Sequence, residues 1–188
     1  TTVSAAADPG GIGHARPAPR TTPPAESPEL AELAVDDGGL GDFWDGFSSI
    51  EIRVAPIAED LDVPHSATAA RNVWMRTTES LSDDPLVHRA ALAYASDLML
   101  IATALAPHGA VTGHEQSMSR DWWAVSLDHA MWFQDDFRAD EWNLFEHTTP
   151  MAHSSRALVH AAVFDQSGAA ICQVAQQALV AAQTPARV

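Results

Sequence analysis

Asp97 lies in the stretch AYASDLML, where its helical neighbours three and four positions away are Tyr94, Ala93, Leu100 and Ile101. None of them is a cation, so a carboxylate on this apolar segment has no local ion-pair partner. Such a group is hydrogen-bonded to backbone donors, faces a wet cleft, or serves as a base, and the pattern favours a functional role. The run VSLDHAMWFQ (125–134) raises the same problem on what reads as a strand. By two-residue alternation Ser126 and Asp128 share one face, and Val125, Leu127, Met131 and Phe133 share the other with His129 among them. A serine close to a histidine suggests a nucleophile and its base. The alternation points the two in opposite directions, however, and no GxSxG elbow is present. His129 therefore reads as a histidine hydrogen-bonded within the fold. Gln176, in ICQVAQQALV, shares a face with Cys172, Val174, Ala178 and Val180. A carboxamide there must be paired or available to a ligand. Gln177 takes the other face and is given no role.

Other chemistries find less support. Nine His occur, but with no HExxH or CxxC spacing, and His147, His153 and His160 read as lying on separate strands or strand ends. No metal site is expected. GGIG (10–13) lacks the strand before it and the helix after it that a phosphate loop needs. Asp135, Asp136, Asp140 and Glu141 read as a solvated turn pinned by Arg138. Trp122, Trp123, Trp132 and Trp142 read as core or interface residues. The net charge is −15 and every basic residue is Arg, which argues against nucleic acid as a partner. Cys172 is the only cysteine, so no intrachain disulfide can form and a reducing compartment is expected. No apolar run reads as long enough to span a bilayer, and no basic-then-apolar signal segment opens the chain. The expectation is a cytoplasmic protein with no membrane partner.

The elements that must hold these groups follow from periodicity. Residues 1–42 are rich in Pro, Gly and Ala and read as an extended linker, with ELAELAVDD (29–37) a short helix ended by Gly38 and Gly39. SIEIRVAPI alternates as a half-buried strand stopped at Pro56, and 72–80 is a second strand candidate. Asp84 caps and Pro85 opens a helix over 85–106, about 33 Å long at ~1.5 Å per residue and closed by Pro107 and Gly109. It is apolar nearly all round from Ala90 to Ala106, so a sheet must wrap it. Residues 110–120 read as a polar loop. Strand-like runs follow at 121–134, at 142–164 with a break near Pro150, and at 169–182, the last two joined by a DQSG turn. One central helix against a curved antiparallel sheet is an α+β architecture.

The stretches AYASDLML, VSLDHAMWF, FRADEWNLF, SSRALVHAAVFDQSGAAICQVAQQAL and the earlier FWDGF and IEIRV together resemble the C-terminal half of acyl-CoA thioesterase II. The resemblance implies a double hotdog, of which this chain carries the second unit. Residues 1–42 would be the inter-domain linker, with TTVSAA the remnant of a preceding hotdog, 43–184 the C-terminal hotdog and 185–188 a tail. It implies hydrolysis of acyl-CoA to free fatty acid and CoA by a water that Asp97, Ser126 and Gln176 orient. Asp97 is the base, while Ser126 and Gln176 position the water; Asp128 and His129 belong to the structural frame. Backbone N–H groups near the helix start are candidate oxyanion donors, each worth ~3 kcal/mol. No cofactor is implied, since CoA is part of the substrate. The partner implied is the missing N-terminal hotdog or a second copy of the chain. The chain departs from the family at Gln134, at Asp135 and Asp136, and at Gln177-Ala178. An alternative reading is a non-catalytic acyl-CoA-binding or assembly subunit.

Overall fold

The computed structural model describes residues 12–55 and 69–183. TTVSAA, the strand stop at Pro56 and the 185–188 tail lie outside the described residues. The elements in order are α1 (Leu30–Leu33), β1 (Ile50–Ala55), β2 (Ala69–Thr77), α2 (Pro85–Ser96), α3 (Leu100–Leu105), α4 (Glu115–Asp121), β3 (Trp122–Ser126), β4 (Ala130–Phe133), β5 (Asn143–His153), β6 (Arg156–Phe164) and β7 (Ala170–Ala182). The strands form one antiparallel sheet in the order β1-β2-β5-β6-β7-β3, with β4 also paired to β7.

Register decides which side chains face the helices. Val54, Val73, Phe145, Val163 and Cys172 are successive cross-strand partners, forming one apolar row across five strands. Leu92, Ala95, Leu98, Met99 and Leu100 pack onto this face in a single core cluster. The helical segment can be apolar all round because the sheet curls about it, the hotdog arrangement that the resemblance implies.

The expected helix over 85–106 is two helices. Asp84 caps α2 by accepting the Leu86 N–H at 2.9 Å, as its position predicts, but α2 ends at Ser96. Met99 then takes φ 68°, a left-handed conformation that costs a non-glycine residue about 1–2 kcal/mol. α3 restarts at Leu100, and the Thr103 hydroxyl bonds back to the Met99 carbonyl at 3.0 Å. Met99 is only 4% exposed, so burial of its side chain offsets the backbone strain. The expectation about membranes also needs correcting. Pro85–His108 spans 24 residues and contains an 18-residue window of mean hydropathy 1.5, long and apolar enough to cross a bilayer by those measures. The core helix of a soluble fold passes the same test, and this one is packed inside the sheet.

The run 121–134 is interrupted too. Ser126 pairs with Ala178 and Ala130 with Ala175, so four steps on one strand face three on the other. This extra residue is a bulge, and it reverses the alternation beyond it. The Asp128 carboxylate stands in for a ladder carbonyl, accepting the Gln177 N–H at 2.8 Å. The run 142–164 is a hairpin. Its turn is Ser154-Ser155, both at positive φ, whereas Pro150 falls in a register shift between Thr148 and Met151.

Residues 110–120, read as a loop, contain most of α4. Its first turn is held from a distance: Asp37 accepts the Ser117 N–H at 2.8 Å and also binds the Ser117 hydroxyl. These two hydrogen bonds hold the Asp37 carboxyl below the usual carboxylate range. The segment read as linker is likewise docked from Arg16 onwards. Arg16 pairs with Glu146 and lies over the Phe164 ring, Thr22 O accepts the Trp74 indole N–H at 2.9 Å, and Leu30 and Ala34 are buried. The acidic turn is less solvated than expected at Asp140. Arg138 holds that carboxyl down to about 2, and Asp140 caps the Leu81 N–H at 2.8 Å.

Candidate active site

Asp97 is the C-cap of α2 and sits at the break before α3. Ser126 is the last residue of β3, and Gln176 lies on the inward face of β7. The fold brings the three together. The Ser126 hydroxyl lies 3.2 Å from Asp97 Oδ1, and Gln176 Nε2 donates to Ser126 Oγ at 2.7 Å. Their environments differ sharply. The Asp97 side chain is 59% exposed, whereas Gln176 is 0% exposed. Asp97 is exposed at the end of α2 between two buried neighbours, Ser96 and Leu98. Gln176 stands behind Ser126 rather than beside it.

A fourth group joins them. The bulge at 127–129 turns His129 to the same side as Ser126, against the opposite-face expectation. His129 Nδ1 meets Gln176 Oε1, and Nε2 lies 2.8 Å from Ser96 Oγ. Nδ1 is also 3.9 Å from Asp97 Oδ1. Strict alternation across VSLDHAMWF hides this convergence; the adjacent polar pair Asp128-His129 shortly after a serine is the trace it leaves in the sequence. The start of α2 does not adjoin the site. Pro85 is twelve residues before Asp97, about 18 Å along a helix, so the helix-start amides near the carboxylate belong to α3 instead.

A cavity of about 350 Å³ opens beside Asp97. Leu98, Ile101, Leu105, Met118 and Trp122 give it apolar walls, and Glu115 closes part of it. Glu115 belongs to a polar group beneath α3, on the core face of the sheet. Arg71 and His147 are cross-strand partners there, and Arg71 Nη2 donates to the Ala102 carbonyl at 3.3 Å. Burial lowers Arg71 to about 10 and raises the Glu115 carboxyl; His147, wholly buried and beside the Arg71 charge, falls to about 3. Among the described residues no cluster of three or more His, Cys, Asp or Glu is arranged to hold a metal.

Cys172 is buried on the inward face of β7, and burial pushes its thiol up to about 12. It is therefore expected to resist Ellman's reagent in the native protein and to react once the fold is opened with denaturant. Rapid labelling of the folded protein would contradict its placement.

Residues 49–179 match the family model described as acyl-CoA thioesterase. The chain belongs to this family. Acyl-coenzyme A thioesterase 8 of Rattus norvegicus is 32% identical over 172 residues, covering 85% of this chain and 52% of that protein. The crystal structure of acyl-CoA thioesterase II TesB2 from Mycobacterium marinum superposes with a TM-score of 0.74 at 32% identity, covering 94% of this chain and 60% of that one. The chain therefore spans little more than half the length of these relatives. A structure described as a thioesterase from Syntrophus aciditrophicus shares the fold alone, at 9% identity and a TM-score of 0.55, but 93% of that chain is covered. One hotdog unit nearly fills that shorter chain, as it fills about half of the longer ones.

Proposed function

We propose that the protein hydrolyses acyl-CoA thioesters, this chain supplying the carboxylate–hydroxyl–carboxamide set that activates water. The observation that carries the reading is the Asp97–Ser126–Gln176 chain of hydrogen bonds, whose Asp97 end lines a largely apolar cavity. Water placed against Asp97 loses a proton to the carboxylate as its oxygen bonds to the thioester carbonyl carbon. The tetrahedral adduct then expels the sulfur of CoA, and the proton held by Asp97 passes to the departing thiolate. Fatty acid and CoA are the products, and CoA enters only as part of the substrate. Ser126 holds the carboxylate and presents a lone pair to the water; Gln176 fixes Ser126 from behind. The cavity takes the acyl chain.

An open carboxylate activates water less well than a covered one. We place the cover in a second hotdog, either a preceding half of the same polypeptide or another copy of this chain. The rim beside the site suits such contact: Trp123, Val125, Leu127 and Trp132 are exposed apolar side chains on β3, β4 and the bulge between them. The exposure of Asp97 is also what favours the alternative, a subunit that binds acyl-CoA without turning it over.

Thiol release from acyl-CoAs of several chain lengths separates the two readings. Hydrolysis is expected, and Gln176→Ala should lower kcat by about 10²-fold, because Ser126 loses the donor that positions it. Binding without release of thiol, or full turnover in the Gln176→Ala variant, would overturn the proposed mechanism.

A further inference from the structure

Donor and acceptor counting around Asp97 fixes more than the three expected residues. An ionised carboxylate only accepts, so the single hydrogen of the Ser126 hydroxyl points at Asp97. Ser126 Oγ is then left to accept, and the Gln176 carboxamide must turn its Nε2 towards it. That orientation directs Oε1 at His129, whose Nδ1 must carry a hydrogen. The far ring nitrogen is held by Ser96 Oγ, itself 2.8 Å from the Ala93 carbonyl one turn back in α2. Every bond in the series points the same way, from His129 through Gln176 and Ser126 to Asp97.

We propose that His129 is a positioning residue: by donating from Nδ1 it fixes the carboxamide of Gln176, and thereby the direction of the hydrogen bonds that reach Asp97. This rests on the hydrolase reading above. Without the imidazole donor, Oε1 of the buried carboxamide loses its partner, and only the Nε2 bond to Ser126 still favours this orientation over the half-turn rotamer. The rotated form sets Oε1 against Ser126 and competes with Asp97 for the hydroxyl hydrogen. Aligned water at Asp97 then becomes a minority arrangement, so the loss falls on kcat. His129 is not among the residues that line the cavity, so the loss should spare acyl binding. Ser96 and the end of α2 hold the ring from the other side, so a break in the helix becomes the anchor of the series.

Two substitutions separate positioning from bulk. His129→Phe keeps ring volume and donates nothing; His129→Asn returns an N–H close to the place of Nδ1. His129→Phe should lower kcat about 10–100-fold with KM changed less than about twofold, and His129→Asn should recover most of the loss. In a Gln176→Ala background His129→Phe should add no further loss, because the two act as one unit. A readout independent of turnover is the ring ¹⁵N spectrum of the unsubstituted protein at pH 8, which should report the Nδ1–H tautomer. An Nε2–H tautomer, an unchanged kcat in His129→Phe, or additive losses in the double variant would each overturn the proposal. If the unsubstituted protein releases no thiol, the hydrolase reading falls, and the tautomer alone decides whether the hydrogen bonds run in this direction. Should His129→Phe fail to fold, the tautomer and the His129→Asn kinetics still decide it.

Discussion

Asp97→Asn is expected to lower kcat by about 10²–10⁴-fold, the range typical of a lost general base. Its stability should barely change. The side chain is 59% exposed and its one side-chain hydrogen bond among the described residues is from the Ser126 hydroxyl, so the change in folding free energy should stay within about 0.5 kcal/mol. At this chain length that is a Tm shift of about 1–2 °C. The contrast is the point of the experiment. A fully buried group cannot be removed without disturbing the fold, and Gln176→Ala will lose activity and stability together, leaving the His129 N–H and Ser126 Oγ short of partners. Asp97 is open to water, so its substitution tests chemistry almost alone. Asparagine keeps an acceptor oxygen for the Ser126 hydroxyl but takes no proton from water, so no base remains at that position. Thiol release measured alongside thermal unfolding checks both halves, and turnover that survives Asp97→Asn excludes the mechanism.

The sequence carries the polar residues of this site better than the backbone that assembles them. Asp97, Ser126 and Gln176 each stand out because a polar group on an apolar element demands a partner, and that demand is visible without coordinates. The strands around them were also legible: β1 alternates, and β2 and β7 read to within a few residues of their observed ends. The features that escaped are those where one residue changes the geometry without a residue type to announce it. Met99 takes a left-handed conformation with no Gly or Pro nearby, so the helix reads as continuous. The hairpin between β5 and β6 turns on two serines rather than the Asn-Gly that such turns favour. The extra residue after Ser126 reverses which side His129 faces, and alternation alone assigns it to the wrong one. α4 escaped for a different reason: Asp37, about eighty positions earlier, secures its first turn, and no local signal reports a remote cap.

Acidification should unfold this protein through His147 before most of its carboxylates matter. In the folded state the ring is wholly buried and faces the Arg71 charge, and its pKa falls to about 3; in the unfolded chain it returns to about 6.5. The direction follows from proton counting. Between those values the unfolded state binds a proton that the native state refuses, so stability is full above pH 6.5 and is lost as the pH falls towards 3. Integrated from pH 7 to pH 4, this one group removes about 3 kcal/mol, a large share of the 5–15 kcal/mol typical of a domain. Asp140, held down to about 2 by Arg138, loses its contribution in the same direction but at lower pH, while the raised Glu115 carboxyl works against both. A substitution that cannot titrate isolates the histidine. His147→Leu should be as stable as the unsubstituted protein at pH 7 or more so, because neither ring nitrogen has a hydrogen-bond partner to lose. Urea unfolding at pH 7 and pH 4 should then show the unsubstituted protein losing about 3 kcal/mol more than the variant. Equal losses in the two would mean that the proton enters elsewhere and that His147 is less enclosed by β2, β5 and α3 than its burial indicates.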